Sequence, residues 1–421
     1  MHIFYLHQYF ATRKGKTGTR SYEFSRYLVG RGHRVTMITS GLNNSEFPVP
    51  QGEDFIEREV EGIRVVSIAA AYNDPETGTD MNGLQRMLKF YQFARRAWLV
   101  GKMLGRPDIV FATHTPLTIG LAGKRLARYF SIPFVFEVRD MWPEALVNVG
   151  ALKNPFVIWW LRRMADQIYA VADHIVALSP GMKAGIVRAG VPADKITMIP
   201  NCCDLDLFNP HVDGASTRQR MGLKSRFAAI YFGAMGFANG LEYVIDGARI
   251  LKERGNDNIV IVLCGSGGYR ARLEKTARDY QLNNVLFTGP VTKNEITQMV
   301  AGCDICLTIF RAAIEQTWSP NKIFDALAAG KPVLVNVSGW LRELVEQNGC
   351  GIYLDPSSPK MLADSLEELA LAPDRCKSMG NNARDLAERE FSREKLSGIF
   401  ENVLLKALEN YNLVNSDCEA S

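Results

Sequence analysis

Three stretches of the chain combine residue types that could bind charge or move a proton. The first is SPNKIFDALAAGKPVL, Ser319 to Leu334. Ser319 suits a helix N-cap, Pro320 suits a first helical position, and Gly330 is placed to end the helix before the apolar Val333-Leu334-Val335. Lys322 then falls in the first turn, where the helix dipole is positive and a cation is disfavoured by roughly 0.3–1 kcal/mol. A diphosphate held by the free N–H groups of the helix start, at Ser319 and Asn321, together with the Lys322 ammonium, would remove the conflict. The alternative is a lysine that snorkels into solvent. Arg311 and Glu315 lie just upstream in FRAAIEQTWSPNK, at the expected exit of a strand, and would set a cation and a carboxylate beside the same helix start.

The second stretch is FGAMGFANG, 232–240, a glycine-rich turn between an apolar run and a helical pattern. Glycines at Gly233 and Gly236 would let the backbone approach an anion closely, and GSGG, beginning at Gly265, repeats the arrangement at a neighbouring strand exit. The spacing is not the GxGxxG of dinucleotide enzymes, and GKTGT at 15–19 lacks the first glycine of a P-loop. The third stretch is FVFEVRDMWPE, which carries Glu137, Arg139 and Asp140 at the carboxyl end of a strand. Asp140 could orient or deprotonate a hydroxyl, or cap the next helix. His114 in FATHTP stands at another strand exit, as a ligand or as a structural histidine, and Gly18, Thr19 and Arg20 open the first helix near the same edge.

These residues need a scaffold that gathers strand exits. Apolar runs of strand length alternate with helical patterns from HIFYL (2–6) to ITMIP (196–200), and the rhythm restarts at FAAIYF (227–232). The alternation predicts an α/β architecture of two Rossmann-like, doubly wound parallel-sheet domains that face across a cleft. NCCDLDLFNPHVDGASTRQRMGL, 201–223, is polar and turn-rich and reads as the join. We expect a first domain over 1–205, a second domain over 206–395, and a C-terminal helix and tail over 396–421. The chain has 421 residues, 22% charged, with a net charge of +4, too mild to argue for nucleic acid. No apolar run nears the ~20 residues of a membrane span, and MHIFYLHQYF carries no basic leader, so a cytoplasmic or peripheral protein is expected. Cys303 and Cys306 form a lone CxxC without a second ligand pair and read as buried structural thiols; no metal is expected.

With these motifs in order, nearly the whole chain resembles family 4 glycosyltransferases. IVALSPGMKAGIVRAGVPADKITMIPNCCDLDLF is similar to the stretch that closes the first domain of that family, through Ser179, Lys195, Ile199, Pro200, Asn201, Asp204 and Phe208. FDALAAGKPV and GHRVTMITS resemble two further family runs. The resemblance implies the GT-B fold, with the acceptor on the domain over 1–205, the nucleotide-sugar on the domain over 206–395 and the C-terminal helix crossing back to the first, a retaining transfer and no metal or other cofactor. Its donor residues would be Gly233, Gly236, Gly265, Arg311, Ser319, Asn321, Lys322 and Asp325, with Glu315 or Asp325 on sugar or ribose hydroxyls. On the acceptor side it implies Gly18, Thr19, Arg20, His114, Arg139, Asp140 and Asn201. Most members carry two glutamates where this chain has Thr317 and Asp325, and an arginine and a lysine where it has Met235 and Asn239. Lys322 and Arg311 should therefore carry more of the leaving-group charge, and Asp140, Lys322 and Glu315 are the expected catalytic residues. The PNK-FDALAAGKP and RDMWPE versions look like the subgroup that builds bacterial surface polysaccharide such as O-antigen or capsule, which includes N-acetyl-fucosamine transferases. That subgroup implies a UDP-linked donor and a saccharide acceptor on polyprenyl diphosphate. The same fold also serves nucleotide-sugar 2-epimerases, and a non-catalytic nucleotide-sugar or glycan-binding protein is the reading from another class.

A lipid-linked acceptor would make contact with the inner membrane useful. Met81 to Pro107 holds six Lys/Arg and no acid, but on a helical wheel they fall on two opposite sides. The helix near 154–172 turns Trp159 outward with Arg162 and Arg163, which suits an anionic surface, or a Trp covered by a neighbouring loop.

Overall fold

The computed structural model describes residues 1–15, 18–42, 44, 46–70, 83–311 and 317–419. It divides into two units. One consists of Met1–Val147, Leu152–Pro200 and Glu394–Ser421, the other of Asn148–Ala151 and Asn201–Arg393.

The first unit is built on strands β1 (His2–Leu6), β2 (Arg34–Ser40), β3 (Phe55–Val60), β4 (Ile63–Ile68), β5 (Ile109–Thr113), β6 (Phe134–Val138), β7 (His174–Ala177) and β8 (Ile196–Met198), in the order β3-β4-β2-β1-β5-β6-β7-β8. β1, β5 and β6 are buried along their whole length, as strands covered on both faces must be. One sheet face packs Phe4, Val110, Phe134 and Phe136 against the helices Gly83–Gly101, Ile119–Phe130 and Pro155–Val171. On the other, Phe111 meets Phe400 of the last helix, Arg393–Glu419, and Phe400 stacks on Phe24 of the Arg20–Gly30 helix at 4.8 Å.

The sheet is not wholly parallel. β3 and β4 form an antiparallel hairpin, with Val60 opposite Ile63. The two residues between them, Glu61 and Gly62, both take positive φ (49° and 79°), the conformation of a type I′ hairpin turn. The sequence reading passed over this hairpin. FIEREV lies at the sheet edge, where it is largely exposed and carries charges, so it has no apolar run to give it away.

The second unit has β9 (Phe227–Phe232), β10 (Ile259–Cys264), β11 (Val285–Gly289), β12 (Ile305–Thr308), β13 (Val333–Val335) and β14 (Gly351–Tyr353), all parallel, ordered β11-β10-β9-β12-β13-β14. Residues 201–205 belong here rather than with the first unit. The Cys203 N–H donates to the Phe391 carbonyl, and the buried Asp204 carboxylate holds Lys293 at 3.2 Å and Arg393 at 3.0 Å. Cys303 and Cys306 are buried in and beside β12, and burial pushes the Cys303 thiol up to about 12.

Each sheet has one point where the strand order reverses: between β1 and β5 in the first unit, and between β9 and β12 in the second. In open α/β sheets, ligands bind outside the carboxyl ends of the strands at such a point.

Candidate functional site

In the second unit, Gly233 follows β9, and the chain leaving β12 leads to the helix Asn321–Ala328. Pro320, not Ser319, is the cap of that helix, and among the described residues no side chain makes a capping hydrogen bond to its start. Ser319 is instead held from below: its carbonyl accepts the Asn201 amide at 2.6 Å, and its Oγ accepts the Asn201 backbone N–H at 3.4 Å. Asn201, expected on the acceptor side, is therefore a tie within the second unit that fixes the approach to this helix.

The Lys322 ammonium is buried and has no hydrogen-bond partner among the described residues. It lies 3.8 Å above the Tyr231 ring and 5.5 Å from that of Phe310. Tyr231 is itself fixed by its hydroxyl, which donates to the Ala234 carbonyl at 2.6 Å. Ring faces attract a cation but do not replace a counter-ion. Burial pulls the Lys322 pKa down to about 7. A β-carbon on Gly233 would stand 3.3 Å from the Lys322 Nζ, so the bare face of this glycine looks onto the ammonium.

The neighbouring glycines have another role. A β-carbon on Gly265 would meet the Gly233 carbonyl oxygen at 1.9 Å. The Met235 N–H donates to Ser266 and the Gly236 N–H to the Asn239 side chain, at 2.8 and 3.1 Å. Gly265, and Gly267, where a β-carbon would meet the Met235 carbonyl oxygen at 2.6 Å, let two strand-exit loops knit together, which places Gly233, while Gly236 is tied within its own loop. Met235 is fully buried and Asn239 is spent on Gly236, so the positions that carry cations in most relatives are structural here.

One other donor-side expectation is corrected. Arg311 is already engaged: it pairs with Glu242 at 3.0 Å, donates to the Phe237 carbonyl at 2.9 Å and lies 4.2 Å above the Phe237 ring. Asp325, expected on sugar or ribose hydroxyls, has a buried carboxyl. Burial pushes its carboxyl up to about 7, with Lys293 and Arg393 opposing the shift and Asp204 adding to it. It stands three residues after Lys322 yet makes no ion pair with it. Asn321 is exposed at the helix start, and Glu315 lies outside the described residues.

In the first unit, the exits of β1, β5 and β6 carry His7, His114, Arg139 and Asp140. His114 is buried, and its Nδ1 accepts the Asp140 backbone N–H at 3.3 Å. Burial, with Arg139 beside it, pulls its pKa to about 3, so the ring is neutral and its proton resides on Nε2. That Nε2 is buried without a partner among the described residues. The Asp140 carboxyl makes no hydrogen bond among the described residues; burial pushes its pKa up to about 6 against the pull of Arg139. An unpartnered N–H donor and a carboxylate poised near neutrality can hold a hydroxyl and accept its proton.

His7 was missed. It is the first residue past β1 on one side of the switch point, as His114 is past β5 on the other, and its Nδ1 lies 2.6 Å from the Ser21 hydroxyl. The strand-exit rule that singles out His114 applies equally to it. Arg20 is a correction: it is buried and spends its guanidinium on Glu137 at 2.9 Å and on the carbonyls of Ile199 and Pro200. It holds β6 to the end of the unit with four of its five N–H donors. Glu137 also accepts from Thr113. Gly18 is exposed and Thr19 half-buried at the start of the Arg20–Gly30 helix.

Residues 17–202 match the family described as glycosyl transferase 4-like domain, and residues 216–386 match glycosyl transferases group 1. The chain is a glycosyltransferase of the GT-B type. The glycosyltransferase is 24% identical over 398 residues to the putative colanic acid biosynthesis glycosyl transferase WcaI of Escherichia coli, covering 90% of this chain and 94% of that one. In fold it is similar to Anabaena HepE, solved in complex with UDP, with a TM-score of 0.70 and 18% identity over 96% of this chain and 100% of that one. It is likewise similar to WaaG, a glycosyltransferase involved in lipopolysaccharide biosynthesis, with a TM-score of 0.66 and 16% identity over 96% and 99%. Among its described residues, no helix is long and apolar enough to cross a membrane.

Proposed function

We propose that this glycosyltransferase moves a sugar from a UDP-linked donor to a saccharide acceptor on a polyprenyl diphosphate, with retention of configuration, in building a bacterial surface polysaccharide. An N-acetylated deoxyamino sugar is the donor class to test first. The observation that carries the donor half is the buried, unpartnered Lys322 ammonium facing the bare side of Gly233, at an uncapped helix start beside the β9/β12 switch point. Negative charge grows on the diphosphate as the glycosidic bond breaks. A cation already desolvated and lacking a carboxylate meets that charge without reorganising. The UDP bound by HepE and the polysaccharide role in the names of WcaI and WaaG support the donor and the pathway class.

On the acceptor side, the His114 Nε2–H orients the attacking hydroxyl, Arg139 offsets negative charge nearby, and Asp140 takes the proton. Contact with the cytoplasmic face of the inner membrane would bring a lipid-linked acceptor within reach. Trp159 is uncovered, lies beside an exposed Phe156, and has Arg163 exposed next to it, while Arg162 is paired with Glu144 at 2.8 Å.

The test is release of nucleoside diphosphate from a panel of UDP-, GDP- and dTDP-sugars, with and without a short lipid-diphosphate-linked saccharide. Acceptor-dependent release from one donor, lowered by 2–3 orders of magnitude in Lys322→Ala, is the expected result. Full activity in that variant would remove Lys322 from the leaving group. Release without any acceptor, or interconversion of the donor, would replace transfer by hydrolysis or epimerisation.

A further inference from the structure

The Lys322 ammonium has two aromatic neighbours, and each is pinned by contacts of its own. Tyr231 lies in β9, fully buried, with the ammonium 3.8 Å from its ring centre. Its hydroxyl donates to the Ala234 carbonyl at 2.6 Å, which ties the ring to the loop that carries Gly233. Phe310 stands two residues past β12, buried, with the ammonium 5.5 Å from its ring centre. The buried Asn336 side chain grips the Phe310 backbone twice, accepting its N–H at 2.8 Å and donating to its carbonyl at 2.7 Å. Trp318 meets the Phe310 ring edge to face at 5.1 Å. The two strands that flank the switch point of the second sheet thus each supply one fixed aromatic wall.

A buried ammonium needs something to hold it charged and in place. A carboxylate would do so, but it would repel an incoming diphosphate or have to be displaced by it. A ring face attracts a cation through its quadrupole and carries no net charge, so the ammonium stays available to an anion. The attraction acts on the charged form alone and therefore opposes the fall that burial imposes on the Lys322 pKa. No charged group among the described residues shares that task. Arg311, next to Phe310, is paired with Glu242, and Asp325, three residues along the same helix, makes no ion pair with Lys322.

We propose that Tyr231, backed by Phe310, is a positioning residue for diphosphate binding: its ring face holds the Lys322 ammonium charged and uncommitted, toward the bare side of Gly233. This role rests on the reading of Lys322 as the cation that meets the diphosphate. It adds the group that keeps this cation in play while the site is empty, and it makes a ring, not a carboxylate, the resting partner of the lysine.

The experiment is calorimetric titration of UDP into the full-length protein from pH 6 to 9. Tyr231→Phe, Tyr231→Leu and Phe310→Leu are compared with wild type and with protein carrying pentafluorophenylalanine at position 231, introduced by amber suppression. The fluorinated ring has nearly the shape of phenylalanine but a face of opposite electrostatic sign. Tyr231→Phe should keep the wild-type pH curve. The leucine and pentafluorophenylalanine replacements at 231 should bind UDP nearly as well as wild type at pH 6. Their loss of binding should set in about one pH unit lower, leaving them about tenfold weaker at pH 8. Phe310→Leu, which removes the more distant wall, should move the curve the same way by less. Tyr231→Phe and the fluorinated protein should share one Tm, so they remain a fold-matched pair even where leucine at 231 destabilises the core.

Lys322→Met checks the underlying reading by itself. If that variant binds UDP as wild type does, Lys322 does not meet the diphosphate, and the role of Tyr231 falls with it. If Lys322→Met loses binding but Tyr231→Phe and the fluorinated protein give superimposable pH curves, the role of Tyr231 alone is overturned. A loss equal at every pH in all the Tyr231 replacements would make the residue a packing element and overturn it as well.

Discussion

Lys322 and Gly233 form a matched pair: the ammonium lies 3.3 Å from the point where a β-carbon on the glycine would be. Gly233 also holds φ at +132°, a conformation that side chains rarely adopt. Gly233→Ala should therefore act twice, costing about 1–3 kcal/mol of stability through backbone strain and crowding the space that faces the ammonium. Denaturant melts and UDP titration measure the two effects. A variant that is less stable but binds UDP as wild type does would place the nucleotide elsewhere.

Lys322→Met should separate binding from folding. The lysine is buried without a counter-charge, so its loss should leave stability unchanged or higher while UDP binding falls by at least tenfold. A structural lysine would show the reverse. Its pKa of about 7 lies below the ordinary 10.5, so above pH 7 the free protein increasingly lacks this proton. An anion binds the protonated form. UDP binding should be tightest at or below pH 7, weaken by up to tenfold per unit above it, and take up a proton near pH 8. Calorimetry in buffers of different ionisation enthalpy reads that uptake, which Lys322→Met should lack.

Asp140 and His114 make a pair that should split in the pH profile. If Asp140 is the base, kcat/KM for the acceptor rises with pH through about 6, where its carboxyl loses the proton. Asp140→Asn should abolish that rise and lower kcat by 2–4 orders of magnitude. His114, with a pKa of about 3, is neutral throughout, so His114→Gln should lower kcat/KM without moving the limb near pH 6.

Arg20→Met should be among the most damaging changes in the first unit. It strands the buried Glu137 carboxylate and two carbonyls, at a cost of about 3–5 kcal/mol. UDP binding, which we propose for the second unit, should survive in whatever fraction remains folded; thermal melts and UDP titration report the two separately.

Asp325→Asn is expected to raise Tm by a few degrees at pH 8 and little at pH 5. The folded carboxyl, at about 7 against an ordinary 3.8, keeps its proton between about pH 4 and 7 while the unfolded chain has lost it. Its contribution to stability thus declines as pH rises through that window and is lowest above it. An asparagine stays neutral at both pH values. A drop in Tm at pH 8 would mean that the carboxylate, not its neutral form, is what the fold holds.

Much of this was legible in the residues. The alternation of apolar runs with helical patterns marks each central strand, because a strand covered on both faces has to be apolar throughout. The odd placement of Lys322 in a first helical turn was legible too, because a helix dipole is a local property of the chain. The edge hairpin was not legible, since an exposed strand with charges has no apolar signature. Nor was the fate of Arg311 or Arg20, whose ion-pair partners Glu242 and Glu137 are remote in the chain.

What the sequence determined by itself, then, is the set of elements and the types of group at their ends, because periodicity, capping and turn chemistry act over a few residues. Only the tertiary structure decided which of those groups are free. Arg20, Asn201 and Arg311 were consumed by partners 117, 118 and 69 residues away, while Lys322 and the His114 Nε2 were left buried and unpartnered. Whether a buried polar group has a partner depends on what long-range packing brings beside it, and no local pattern encodes that.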